Sequence, residues 1–323
     1  MRMNRFLTGA ALAALAGCGI LYGALSIPSL AAQSYPVAQR ATGKRDLTVR
    51  FLGTATLAFD DGTTAIMTDG FFTRPSVAQV LLGKVQSDDR VIDKTLARIG
   101  PQNLAAIFVA HSHYDHAMDS AAVAVKTGAS VYGSASTANI MRGAGLPTER
   151  TTVFEDGDTY AFGTFRVQVF ETPHSPHAKF PGKIDEPLHQ PARISEYQEG
   201  GNYSFLVTHG KRRILVIASG NYTPGKFQDV KADVVFLGIG TLGKQDEAFA
   251  SNYWHETVEQ TGAKLVIPIH WDDFMRPLDQ PFRPLPRLLD NFDNGMRMLL
   301  PLAARDGVKL RLPEAFAPID LDQ

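Results

Sequence analysis

The chain has 323 residues, 44% of them hydrophobic and 20% charged, a composition that supports one large or two modest globular domains. Thirty-two Lys and Arg against thirty-three Asp and Glu leave a net charge of -1, which argues against a nucleic-acid partner and against a disordered acidic tail. Cys18 is the single cysteine, so no disulfide framework is available.

Arg2 and Arg5 precede an almost uncharged run from Phe6 to Ala32, the pattern of a secretory n-region and h-region. Three fates fit this segment. Leu15-Ala16-Gly17-Cys18 spells a lipoprotein signal; Ser29, Ala31 and Ala32 suit a cleaved signal peptide; and a run of about 20 apolar residues is long enough for an uncleaved membrane anchor. Ile20, Leu21, Tyr22 and Leu25 keep the run apolar past Cys18, which counts against lipidation. All three fates export the domain, to the periplasm or to the extracytoplasmic face of a membrane. The expected organisation is a signal peptide or membrane anchor over 1–32, a polar linker over 33–45 and a single domain over 46–323.

Short β-branched or aromatic runs follow the linker: Leu47 to Leu52, Thr56 to Phe59 and Thr64 to Thr68, with Asp60-Asp61-Gly62 as a hairpin turn. Val77 to Leu82 and Asp89 to Ile99 have helical spacing, and Ala105 to Ala110 is a continuous apolar run that predicts a buried strand. Helix Asp119 to Lys126, strand Ser130 to Tyr132 and helix Ser136 to Gly143 come next. A second β-rich stretch covers Thr152 to Phe170, and a Pro/Gly-rich loop covers Thr172 to Gly201. The hairpin Tyr203–Val207 and Ile214–Ala218 turns at Gly210-Lys211, where Lys211-Arg212-Arg213 reads as a solvated turn. Strand Val234 to Leu237, helix Ala248 to Thr261, strand Leu265 to Ile269 and a long helix near Pro286 to Ala304 complete the chain. Two β-rich blocks, each followed by helices, predict an α+β fold in which two sheets pack face to face with helices outside, a four-layer αβ/βα sandwich.

The predicted strand Ala105–Ala110 runs directly into His111-Ser112-His113-Tyr114-Asp115-His116. Three of the nine histidines and a carboxylate fall within six residues, and in a loop at a strand end side chains at i and i+2 can point the same way. Imidazole and carboxylate together suit zinc, iron or manganese. His174 and His270 each lie at the end of another predicted strand, so three strand ends converge on histidine.

H-x-H-x-D-H at 111–116, Thr172-Pro173-His174, Pro268-Ile269-His270-Trp271 and the early Asp69-Gly70 resemble the metallo-β-lactamase-fold hydrolase superfamily over roughly Val49 to Leu312. The resemblance implies a sandwich of the metallo-β-lactamase type with one or two metal ions, usually zinc, between the sheets. It implies that His111, His113 and His174 hold one metal, that Asp115, His116 and His270 hold the other, and that Asp69 supports the metal loop. His177 competes with His174, which is preferred because it follows Thr-Pro. One position departs: Asn221 stands where the family commonly has a metal-bridging aspartate, and a neutral carbonyl bridges two cations poorly. Asp272 and Asp273 are the nearest carboxylates that could substitute, and otherwise the second metal is held weakly.

A metal at such a site lowers the pKa of its water toward ~7. Asp115 is then expected to orient the nucleophile or accept its proton, and Tyr114 to donate to an oxyanion. Ester, lactone, amide and phosphodiester bonds all suit the apparatus, on a small-molecule or lipid-like substrate; the His-Ser-His-Tyr-Asp-His spelling is similar to that of superfamily members that cleave phospholipid phosphodiesters. The segment Ala178 to Gly201, with Phe180, His189 and Tyr197, is expected to overhang the site. Trp271 fits either a substrate contact or the core, and His255 reads as structural or exposed. Two other classes share the ligand set: an iron-dependent oxidoreductase and a non-catalytic metal-binding protein.

Overall fold

The computed structural model describes residues 25–43 and 45–323. Residues 1–24, with Cys18 and most of the expected signal or anchor, lie outside them. Among the described residues no helix is long and apolar enough to cross a membrane.

Two sheets face each other. The first has the order β1 (Thr48–Gly53), β2 (Thr56–Asp60), β3 (Ala65–Thr68), β4 (Leu104–Phe108), β5 (Ser130–Gly133) and β6 (Thr151–Val153). The second runs β13 (Lys309–Leu310), β12 (Leu265–Ile269), β11 (Val234–Gly238), β10 (Arg212–Ile217), β9 (Tyr203–His209), β8 (Phe165–Glu171) and β7 (Thr159–Phe162). β3 lies parallel to β4, and β10, β11 and β12 are parallel to one another. β8 and β10 are both antiparallel to β9 and so point the same way. The ends of β8, β10 and β12 therefore share one edge, and functional groups placed there come from distant parts of the sequence.

Strand β4 shows why the sheets are covered on both sides. Ala106, Phe108 and Ala110 join the core between the sheets, while Ile107 and Val109 join the core under the helices, as the two-residue period of a strand requires. Phe108 meets Phe205 across the sandwich at 5.6 Å between ring centroids, and Phe59 meets Phe236 at 6.4 Å. Outside the first sheet pack α1 (Asp89–Ile99), α2 (Ser120–Thr127) and α3 (Ala135–Gly143), through Ile92, Val123 and Ile140. Asp88 caps α1 by accepting from the Arg90 N–H, and Ser134 caps α3 by accepting from Thr137. On the second sheet sit α4 (Glu247–Trp254) and α5 (Phe292–Arg305), with Trp254, Met296 and Leu299 fully buried. The predicted sandwich is the observed one.

Three details differ from expectation. The last long helix begins at Phe292 rather than near Pro286, because residues 286–291 form a turn in which Leu289 N donates to Pro286 O and the Asp290 carboxylate accepts from Thr241 N. The helix expected over Ala248–Thr261 is α-helical only to Trp254 and continues as a wider π turn over His255–Glu259. Within 33–45, expected as a linker, residues 36–41 run along the C-terminal segment: Ala38 N donates to Leu312 O, Leu312 N to Pro36 O and Arg40 pairs with Glu314.

Phe108→Ala empties the centre of the inter-sheet layer without touching a ligand. The expected loss is about 3–5 kcal/mol of unfolding free energy, read from the shift of the denaturant midpoint at unchanged slope.

Candidate metal centre

Strand ends deliver the site to one edge of the sandwich. Asp69 follows β3, His111 follows β4, His174 follows β8 and His270 follows β12. The strand β4 releases His111-Ser112-His113 as extended loop, and Tyr114–Ala117 then closes one helical turn that carries Asp115 and His116.

The residues assemble as two neighbouring groups, in each of which one donor atom per residue lies within 4.8 Å of the others: His111, His113 and His174 in the first, Asp115, His116 and His270 in the second. In the first, His111 Nε2 and His174 Nε2 stand 3.2 Å apart, and His113 Nε2 is buried without any hydrogen-bond partner. Burial, reinforced by the neighbouring imidazoles, holds His111 well below its ordinary pKa and pushes His174 down to about 3; burial also lowers His113. The three rings are therefore neutral, the form in which imidazole offers a lone pair to a cation.

In the second group His116 Nε2 lies 3.1 Å from His270 Nε2, and Asp115 Oδ2 lies 3.8 Å and 3.6 Å from those two atoms. The Asp69 carboxylate accepts from His116 Nδ1 at 2.8 Å, which orients the ring so that Nε2 faces the group. Asp69 is itself fixed, its other oxygen accepting from Ala110 N at 2.8 Å and its carbonyl from Ser120 Oγ at 2.6 Å. Burial works against the Asp115 charge, yet His116 and His270 hold the carboxyl well below the usual range; conversely Asp115 raises His270 in spite of its burial. Two nitrogens each about 2.0–2.1 Å from a tetrahedral zinc ion stand about 3.3–3.4 Å apart, close to the observed spacing. The donor set, its orphaned nitrogens and its charge state fit metal ions.

The profile of the Beta-lactamase superfamily domain matches residues 68–271, from the strand that carries Asp69 through His270. The chain belongs to the beta-lactamase superfamily. A UPF0173 metal-dependent hydrolase of Chloroflexus aurantiacus is 28% identical over 180 residues, 54% of this chain and just under two thirds (66%) of that protein. Another, from Shouchella clausii, is 25% identical over 241 residues, covering 70% of this chain and 86% of the relative. In fold the chain is similar to Igni18, a metallo hydrolase from the archaeon Ignicoccus hospitalis, with a TM-score of 0.54 at 12% identity, covering 84% of this chain and 97% of that one.

Within this superfamily scaffold the remaining candidates separate. Asn221 spends its amide on backbone: Nδ2 donates to His174 O at 2.6 Å and Oδ1 accepts from Tyr222 N at 2.8 Å, so it braces the loop that carries His174. Asp272 and Asp273 are both engaged away from the two groups, Asp272 with Thr54 N and Arg74, Asp273 with Met275 N and Arg283. His177 is exposed and outside both groups, and His255 is exposed and paired with Glu259. Trp271 is buried, stacked on Phe51 at 6.2 Å and tilted against Phe292, a core residue rather than a substrate contact. The 178–201 segment does lie against the site: Phe180 and Lys179 bring backbone to the His113 ring, and Ser112 N donates to Glu199 O. His189 binds Gly143 O instead, and Tyr197 is wholly buried among the helices of the first sheet.

Tyr114 is buried edge-on between Phe71 and Phe274, and Phe274 also meets the His270 ring at 5.9 Å between centroids. Phe274 carries no signal in sequence; it is one aromatic in an irregular stretch. Asp119, expected only as a helix start, does carry a signal as the lone carboxylate inside Ala117–Ala124. Fully buried, it accepts from the backbone of Phe72 at 2.8 Å and Thr73 at 2.5 Å and fixes the loop past Asp69.

With Asn221 turned onto backbone and Asp272 and Asp273 engaged elsewhere, the two groups share no bridging carboxylate among these three. Extensively dialysed protein should retain closer to one metal ion per chain than two by elemental analysis; two tightly held ions would contradict this. Asp69→Ala removes the brace on His116 and should weaken metal binding about 10–100-fold, measured by competition with a chelating indicator.

Proposed function

We propose that the chain is a metal-dependent hydrolase that cleaves an ester, lactone or phosphodiester bond with activated water, on a small-molecule or lipid-like substrate, with zinc as the expected metal. The observation that carries this reading is the pair of buried donor groups, in which imidazole nitrogens face one another at 3.1 and 3.2 Å and His113 Nε2 has no hydrogen-bond partner. A divalent metal held by those residues supplies Lewis acidity and a nucleophilic water at neutral pH.

The chain's own residues supply the rest. Asp115, held ionised by His116 and His270, is the base available to orient water or take its proton. Tyr114 stays a neutral phenol, because burial and the Asp115 charge both raise its pKa, and a neutral phenol is a donor to an oxyanion developing beside it. Tyr114 and Phe274 form an aromatic wall next to His270, which excludes water and suits an apolar group flanking the scissile bond. The lipid-like substrate class rests on the His-Ser-His-Tyr-Asp-His spelling and on the apolar run Phe6 to Ala32, which also supports an exported, periplasmic or membrane-anchored location.

The test is a panel of chromogenic ester, lactone, phosphodiester and β-lactam substrates, run on wild type and His113→Ala with metal analysis of the same preparations. Turnover of one of the first three by wild type, abolished in His113→Ala, is expected. Redox-active iron without hydrolysis would move the chain to oxidoreductase chemistry, and rates equal in both proteins would make it a non-catalytic metal-binding protein.

A further inference from the structure

His270 is the one ligand of the second group that comes from the second sheet, and it is held by an unusual backbone arrangement. Its φ is +57°, in the left-handed region, and its N–H donates to Thr54 O at 2.6 Å across the sandwich. Thr54, with φ +53°, is left-handed as well, and its own N–H donates to Asp272 Oδ1 at 2.7 Å. The peptide link between β1 and β2 is thus gripped on both sides of His270, once by the ligand's backbone and once by the side chain two residues on. Asp272 Oδ2 in turn lies 3.1 Å from Arg74 Nη1, both side chains fully buried. The Arg74 guanidinium sits 5.2 Å from the Phe71 ring centroid and 5.8 Å from that of Phe282. Room for it comes from Gly53, where a Cβ would collide with Arg74 Nη2 and crowd Asp272 Oδ2, and whose φ of +104° suits glycine alone. Arg74 leaves the loop that Asp119 pins beside Asp69, so the bracket joins the His116 side of the site to the His270 side.

We propose that Asp272 is a positioning residue for His270, acting through the hydrogen bond that Thr54 N–H gives its Oδ1, and that Arg74 is the buried partner of its other oxygen. The bracket sets the second donor group and leaves the first alone, since His111, His113 and His174 make no bond to Thr54, Arg74 or Asp272. This inference rests on the metal-centre reading above and concerns how firmly its second position is held.

Breaking a buried ion pair by removing one partner strands a charge, whereas replacing both partners by neutral groups of similar volume is often tolerated. The informative comparison is therefore between Arg74→Met/Asp272→Asn and Arg74→Met/Asp272→Leu. Both are neutral and similar in size, and only the first keeps an oxygen for Thr54 N–H. Metal-depleted protein is titrated with Zn²⁺ against a chelating indicator, and His270→Ala, which removes the ligand outright, marks the step that belongs to the second group. The asparagine variant should bind both ions within about threefold of wild type, while the leucine variant should lose about tenfold or more at the second step only, the loss typical when the support of a ligand is removed. Thermal midpoints of the metal-free variants separate positioning from general destabilisation. Equal second-step affinity in both variants, or equal weakening of both steps, would overturn the inference. Wild type that binds no Zn²⁺ at all would overturn the metal-centre reading itself, and the bracket would then have no ligand to position.

Discussion

The aromatic layer between the sheets governs how far the end of β4 stands from the ends of β8 and β12. Phe51, Phe59, Phe108, Phe205 and Phe236 are fully buried in it, and interiors packed to crystal-like density deform little. This stiffness matters because neither donor group belongs to one sheet. His111 and His113 wait for His174, and Asp115 and His116 wait for His270, so the geometry of each group is set by sheet packing before any loop contributes. Hydrogen bonds across the edge then refine it. Tyr203 N donates to Ala110 O beside the first group, and His270 N donates to Thr54 O beside the second.

Electrostatics at this edge runs against ordinary burial. Five imidazoles and the Asp115 carboxylate occupy a volume from which water is largely removed, which is costly for any charge left alone. The chain answers in two ways. In the first group it keeps all rings neutral by desolvation, as the low value of His174 illustrates. In the second it sets each carboxylate against an imidazole, Asp69 accepting from His116 Nδ1 and Asp115 lying beside His270. Asn221 continues this economy of charge: it supplies no anion to the site and instead braces the His174 carbonyl.

The architecture was legible in the sequence because its signals are local. An apolar run ending in His-x-His-x-Asp-His reads as a buried strand delivering ligands, and the alternation of β-rich and helical blocks reads as a double sandwich. Asp272 shows where such reading stops. Its place two residues after His270 suggests a metal ligand, but the left-handed turn at His270 redirects the chain, and the carboxylate faces Arg74 and Thr54, partners roughly two hundred positions away. Phe274, Thr54 and Arg74 acquire their roles only through such long-range pairing, which no spacing rule contains. The start of α5 differs for a related reason: the residues before Phe292 form a turn from which Asp290 reaches in to accept from Thr241, a partner remote in sequence.

Three non-glycine residues at this edge, Thr54, Asp69 and His270, occupy the left-handed region, at a cost of about 1–2 kcal/mol each. Each is held by short hydrogen bonds: Asp69 N continues the β3–β4 ladder to Phe108 O, Thr54 N bonds Asp272 and His270 N bonds Thr54 O. A left-handed residue at a strand end turns the chain sharply, and the turn swings a side chain off the sheet face and over the edge, where Asp69 meets His116 and His270 meets Asp115. Relaxing Asp69 or His270 to extended backbone would carry its side chain out of reach, and relaxing Thr54 would withdraw the peptide groups that hold His270 and Asp272. The strain is the local cost of bringing two sheets' worth of donors to one point, and the rigid aromatic layer beneath is what lets the fold sustain it.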